Sequence, residues 1–268
     1  MTSPQDTRIK TALITGASAG IGKSFCQVYA KAGYDLVLVA RREDRLNELA
    51  DALRKEHGVM TYVLARDLAD PAAPAEICDW LDGQGIAIDA LVNNAGYALS
   101  HSVMTTPLED IKGFMQVLMT APVELCHRLA PSMQDRGDGQ IINVSSIAAW
   151  MPPIRGDIYC AAKSFLLNFS LGLGLEMKPF GVNVTALCPG FTVSEFHDVM
   201  GTRKSVSKLP RFLWMDADSV AQQGYEAVCE GKDVHTPGLV NQSASQFVAM
   251  LPTQVRQFLA KRQNIMDY

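Results

Sequence analysis

Lys10-Thr11-Ala12-Leu13-Ile14-Thr15-Gly16-Ala17-Ser18-Ala19-Gly20-Ile21-Gly22 runs from a short apolar stretch straight into three glycines. The opening of this stretch reads as a buried strand, and residues 20–32 read as a helix that stops near Gly33. A glycine-rich turn between strand and helix permits a tight bend and lets backbone approach a pyrophosphate closely. The helix start adds free N–H groups and a partial positive charge at the same place. The spacing is GxxxGxG, however, and not the GxGxxG of the usual dinucleotide fingerprint. Such glycines on their own also fit a plain structural turn. Their place directly after the first strand favours phosphate binding.

Outward from this turn, short apolar runs alternate with longer amphipathic ones. Strands are expected at 36–40, 60–65, 89–92, 140–144 and 182–187, and helices at 43–56, 71–81, 108–134 and 157–177. An interruption of the long helix is expected near Gly113 or Pro122. This alternation predicts βαβ units and a parallel sheet, an α/β fold. No repeat, low-complexity tract or linker divides residues 1–268, so one domain is expected.

Composition excludes several classes of function. With 24 basic and 28 acidic residues the formal charge is −4, which is no footprint for nucleic acid or an anionic membrane. Residues 1–7 are polar and lack the apolar core of a signal peptide. Nowhere does an uninterrupted apolar run reach the ~18 residues of a membrane span. None of the six cysteines forms a CxxC pair, which fits reduced thiols in a cytoplasmic protein. The five histidines lack metal-ligand spacing, and no metal is expected.

Two further stretches carry chemistry. Tyr159 and Lys163 stand four residues apart, about one helical turn, so a phenol and an ammonium share a helix face. A cation beside a phenol favours the phenolate and brings its pKa toward the working range of a general acid or base. The second stretch lies at the end of the second strand. A carboxylate there would bind the ribose 2′-OH of NAD, whereas arginine suits the 2′-phosphate of NADP. This chain has Ala40-Arg41-Arg42 and so favours NADP(H), although two arginines also suit the start of a solvated helix.

These residues resemble the short-chain dehydrogenase/reductase family. TGASAGIG at 15–22, NNAG at 93–96, IINVSS at 141–146 and YCAAK at 159–163 occur in the family's order. The resemblance implies a doubly wound (Rossmann) seven-stranded parallel sheet flanked by helices, and hydride transfer between a nicotinamide and a carbonyl or secondary alcohol. It implies that Tyr159 exchanges the proton, that Lys163 lowers the tyrosine pKa and holds the nicotinamide ribose, and that Ser146 donates to the substrate oxygen. Ser146 is chosen over Ser145 because it stands thirteen residues before the tyrosine. The implied coenzyme site comprises Gly16, Ser18, Gly20, Ile21, Gly22, Arg41, Arg42, Asp67 against the adenine, Asn94, Ala95 and Gly96, with Tyr159 and Lys163. Pro189, Gly190 and Thr192 complete it at the nicotinamide end. One departure stands out. The family's usual asparagine, 28 residues before the serine, is here Leu118, which can neither donate nor accept a hydrogen bond.

In this family a stretch such as 195–215 forms a lid over the substrate, and its mix of Phe196, Phe212 and Trp214 with Arg203 and Lys204 suggests a partly apolar substrate. A C-terminal helical segment is expected over about 241–262. Resembling proteins assemble as homodimers or homotetramers through the two long helices. Two other functions share these motifs: a dinucleotide-binding sensor or scaffold without catalysis, and an epimerase or dehydratase on the same site.

Overall fold

The apolar run at the head of the chain forms β1 (Thr11–Thr15), and all five of its residues are buried. A strand buried on both faces belongs inside a parallel sheet covered by helices. In the computed structural model, which describes residues 8–99, 102–150, 158–193, 214–252 and 254–255, it lies there. β1 pairs in parallel with β2 (Asp35–Ala40) and β4 (Ala90–Asn93), and β2 pairs with the edge strand β3 (Thr61–Ala65). On the other side follow β5 (Gly139–Val144), β6 (Val182–Leu187) and the two-residue β9 (Val234–His235). The result is a seven-stranded, wholly parallel sheet in the order β3-β2-β1-β4-β5-β6-β9. The direction of winding reverses between β1 and β4, and open α/β sheets bind ligands in the crevice at that point.

Alternation along the strands fills two apolar layers. Leu13 points into one, and Ala12 and Ile14 into the other. The first layer is closed by α3 (Ala73–Gln84), α4 (Leu108–Met115), α5 (Ala121–Arg136) and α6 (Ile158–Met177). The second is closed by α1 (Gly20–Lys31), α2 (Glu43–His57) and α7 (Ala217–Cys229). By length and composition α6 with the following turn could cross a membrane. Its Ala162, Lys163, Leu166, Leu167 and Ser170 are nevertheless buried, which makes it a core helix.

Three features differ from the sequence expectation. The break in the long helix lies between the two expected points, as a π turn at Gln116–Thr120 in which the Ala121 N–H reaches back to the Gln116 carbonyl. Pro122, lacking an N–H, has no bond to give to the Leu118 carbonyl four residues before it. Helix α7 and strand β9 had no counterpart in the pattern. A two-stranded parallel ribbon, β7 (Phe191–Val193) with β8 (Trp214–Asp216), takes up the end of the expected lid; 195–213 lie outside the described residues. Of the expected C-terminal segment, α8 (Leu239–Met250) is described, while 253 and 256–262 lie outside.

Helix α7 reaches the sheet only because Gly224 has no side chain. A Cβ there would stand 2.9 Å from both Leu187 Cδ2 and Phe25 Cζ. Gly224→Ala is therefore expected to destabilise the fold by up to about 2 kcal/mol, overpacking of about 1–3 kcal/mol less the ~1 kcal/mol that alanine returns inside a helix, read from the midpoint of urea unfolding. A raised midpoint would show that the helix moves away without cost.

Candidate active site

The glycine-rich turn after β1 is shaped by a second loop. Thr15 Oγ1 accepts from the backbone N–H groups of Asn94 and Ala95, each at 3.0 Å, and Asn94 Nδ2 donates to the Thr15 carbonyl at 2.9 Å. This draws the Asn94 amide against the glycines. A Cβ on Gly22 would lie 2.2 Å from the Gly16 carbonyl oxygen and 2.4 Å from Asn94 Nδ2. Gly16 and Gly20 have φ of 69° and 52°, in the left-handed region that glycine takes at little cost. No side chain caps the first turn of α1, and no acidic residue sits in it, so the N–H groups of its start, at Gly20 and Ile21, stay available to a ligand.

At the end of β2 the two arginines diverge. Arg42 donates through Nε and Nη2 to Ser18 Oγ at 3.3 and 3.0 Å, which places its guanidinium beside the glycine turn. Arg41 lies 3.9 Å from the Asp67 carboxylate, both side chains being exposed, so the pair adds little to stability. At the far end of the crevice the Pro189 carbonyl accepts from the Ile147 N–H at 3.0 Å, and Thr192 Oγ1 donates to the Gly190 carbonyl at 3.1 Å.

Between these ends sit the candidate acid–base groups. Lys163 is 5% exposed, and its Nζ donates to the Val144 carbonyl at 2.8 Å. The same nitrogen lies 5.6 Å from the centre of the Tyr159 ring. It also flanks Gly96: a Cβ there would be 3.8 Å from Nζ and 3.7 Å from Leu118 Cγ. Burial pulls the lysine pKa from its ordinary value near 10.5 to about 8. Ser146 Oγ accepts from the Ala148 N–H at 3.1 Å and is half-buried, whereas Ser145 is buried and donates to the Lys163 carbonyl at 2.7 Å. Lys163 is thus anchored to the end of β5 by its side chain and its backbone.

The sequence reading missed the polar support beneath this group. Asn93 Nδ2 donates to Asn143 Oδ1 at 2.8 Å, and Asn143 Nδ2 to Ser170 Oγ at 2.9 Å, tying β4, β5 and α6 together. Polar residues inside apolar strand patterns were the available signal, since a buried amide needs a partner. Thr15 reads as the end of a strand and the first residue of the TGASAGIG motif, without its bonds to the 94–95 loop. Among the described residues, no group of three or more His, Cys, Asp or Glu could hold a metal ion.

The glycine turn at the β1/β4 reversal, with the candidate residues Lys163 and Tyr159 beyond it, is the arrangement that a dehydrogenase-type fold would use. The chain matches the short chain dehydrogenase family over residues 10–204 and belongs to it. It is an NAD(P)-dependent dehydrogenase/reductase. It is 33% identical over 245 residues to a serine 3-dehydrogenase of Rhizobium radiobacter, covering 88% of this chain and 96% of the relative. An NADP-dependent 3-hydroxy acid dehydrogenase of Escherichia coli K12 is 33% identical, with 70% and 75% covered. The structure of a short-chain dehydrogenase from Sphingobium yanoikuyae in complex with NADPH superposes with a TM-score of 0.81, at 35% identity and 95% and 96% coverage.

Burying Lys163 has a sign that can be measured. A folded-state pKa of about 8 against 10.5 costs on the order of 3 kcal/mol at pH 7, and part of that returns if the charge is removed. Lys163→Met also leaves the Val144 carbonyl unpaired, at about 1–3 kcal/mol. The ligand-free variant is expected to equal or exceed the wild type at pH 7, by up to about 2 kcal/mol. Between pH 8 and 10.5 the unfolded lysine keeps a proton that the folded one has lost, so the wild type gains and the variant's relative stability falls. Urea titrations across that range check both parts.

Proposed function

We propose that this enzyme is an NADP(H)-dependent oxidoreductase that interconverts a carbonyl and a secondary alcohol, with Tyr159 as general acid/base, Lys163 as its electrostatic partner and Ser146 as hydrogen-bond donor to the substrate oxygen. The observation that carries this reading is the buried Lys163 nitrogen, 5.6 Å from the Tyr159 ring and beside Gly96 at the nucleotide crevice. Buried lysines are rare unless they are used, because removing an ammonium from water is costly.

The crevice residues fit a dinucleotide. At Gly16 and Gly22 a Cβ would strike the Asn94 amide and Gly20 takes a left-handed φ, so glycine keeps the turn close and its backbone accessible, and the uncapped start of α1 suits a pyrophosphate. Arg42 beside Ser18, with Arg41 next to it, supplies the cations that a 2′-phosphate requires and a free 2′-hydroxyl does not. The NADPH bound by the Sphingobium structure and the NADP dependence of the Escherichia coli relative support the same choice. Asp67, Asn94, Ala95, Pro189, Gly190 and Thr192 would hold the remaining parts. When bound, the coenzyme supplies or accepts the hydride.

The chain's own residues manage the proton. On reduction the Tyr159 hydroxyl gives its proton to the carbonyl oxygen; on oxidation the phenolate takes it back. Lys163 favours the phenolate while it is charged. Leu118 contributes no hydrogen bond through its side chain, and its apolar contact with the same glycine that borders Nζ adds to the desolvation of the lysine. A cytoplasmic homodimer or homotetramer belongs to this reading. The assembly, though not the compartment, is supported by Leu175, 77% exposed on α6, and by the exposed Phe165, which stacks on the partly buried Phe169.

Two outcomes test this function. Tyr159→Phe is expected to lower NADPH-dependent carbonyl reduction by about 10²–10⁴-fold while leaving the NADPH Kd unchanged, and activity equal to wild type would remove the tyrosine from the reaction. In the wild type, kcat/KM for reduction reports groups of the free enzyme. Since the ammonium is present below pH 8 and lost above it, kcat/KM is expected to fall as pH rises through about 8.

A further inference from the structure

Gly190 is shaped by a residue from the far end of the chain. A Cβ on Gly190 would lie 2.5 Å from Asn241 Nδ2, 2.6 Å from Cγ and 2.6 Å from Oδ1. Near-equal distances to three atoms of one planar group mean that the amide faces the glycine broadside. Asn241 belongs to the first turn of α8 and is 5% exposed, and its Nδ2 donates to the Pro237 carbonyl at 3.4 Å. A short side chain packed so deeply has little freedom to move.

The turn it borders is also tied to the serine loop. The Pro189 carbonyl takes the N–H of Ile147, the residue after Ser146, and the Gly190 carbonyl takes the Thr192 hydroxyl. Pro189-Gly190 is therefore held by two hydrogen bonds and bordered by the Asn241 amide.

We propose that Asn241 is a positioning residue for the nicotinamide end of the coenzyme site. Its side-chain amide, wedged against Gly190, sets the Pro189-Gly190 turn without touching substrate or coenzyme. The proposal rests on the coenzyme reading given above. It extends the site to α8, which the family-resembling motifs do not reach, and it gives Gly190 a steric reason to be glycine.

The test compares NADPH with 2′,5′-ADP, which carries the adenosine half alone, by titration of the wild type, Asn241→Ala, Gly190→Ala and the double variant. Asn241→Ala deletes the three atoms that a Cβ at 190 would strike. Gly190→Ala is expected to weaken NADPH about tenfold and Asn241→Ala about fivefold, both with an unchanged Kd for 2′,5′-ADP. The double variant is expected to bind NADPH more tightly than Gly190→Ala, because the new methyl fills the vacated space. Additive losses in the double variant, or parallel losses of both ligands, would overturn the proposal. If Gly190→Ala does not fold by thermal melting, the ratio of the two Kd values in Asn241→Ala decides alone. A wild type that binds neither ligand would sink the coenzyme reading and the proposal together, whereas normal wild-type binding with unaffected variants sinks the proposal only.

Discussion

A single ammonium group, taken out of water and given one backbone carbonyl, organises the candidate site. Lys163 Nζ donates a hydrogen bond to the Val144 carbonyl and the Lys163 carbonyl accepts one from the Ser145 hydroxyl, so β5 and α6 meet at one residue. Burial lowers its pKa, an expense that the surrounding apolar layers must offset. A chain selected for stability alone would place an apolar residue there. The lysine makes sense as part of a charge-bearing site whose other members, Tyr159 and Gly96, border it.

The same economy of contact shapes the phosphate end. Thr15 and Asn94 lock the loops after β1 and β4 together, and that close approach explains Gly22 sterically before any ligand is considered. Two loops drawn together at the reversal of winding leave a crevice whose floor is backbone. Gly16 and Gly22 therefore already have a packing reason to be glycine, to which the coenzyme reading proposed above adds a second. Pro189-Gly190 repeats the pattern at the other end, with Asn241 in the place of Asn94.

The fold was largely legible in the sequence because its signals are local. Alternating apolar runs gave β1 to β6 and α1 to α6 with ends displaced by only a few residues, which is the usual uncertainty of helix and strand termini. What could not be read depends on distant partners. Helix α7 offers Val220, Ala221, Gly224, Ala227 and Val228 to the core, small residues whose apolar face is weak until Phe25 packs over Gly224. Strand β9 is two residues long and exists only because β6 is there to pair with it. The π turn was half legible: Pro122 announced a disturbed ladder but not its register. Tyr159, Lys163 and the glycines were visible as spacings. Val144, Asn143 and Ser170, which support them, were hidden among ordinary strand and helix residues.

The central claim is that Lys163 sits buried and electrostatically strained beside the tyrosine. NMR titration of the Lys163 side chain, assigned by its loss in a Lys163→Arg variant, measures this directly in the ligand-free protein. The account predicts a midpoint near pH 8. A midpoint near the ordinary lysine value of ~10.4 would show a solvated ammonium and contradict it.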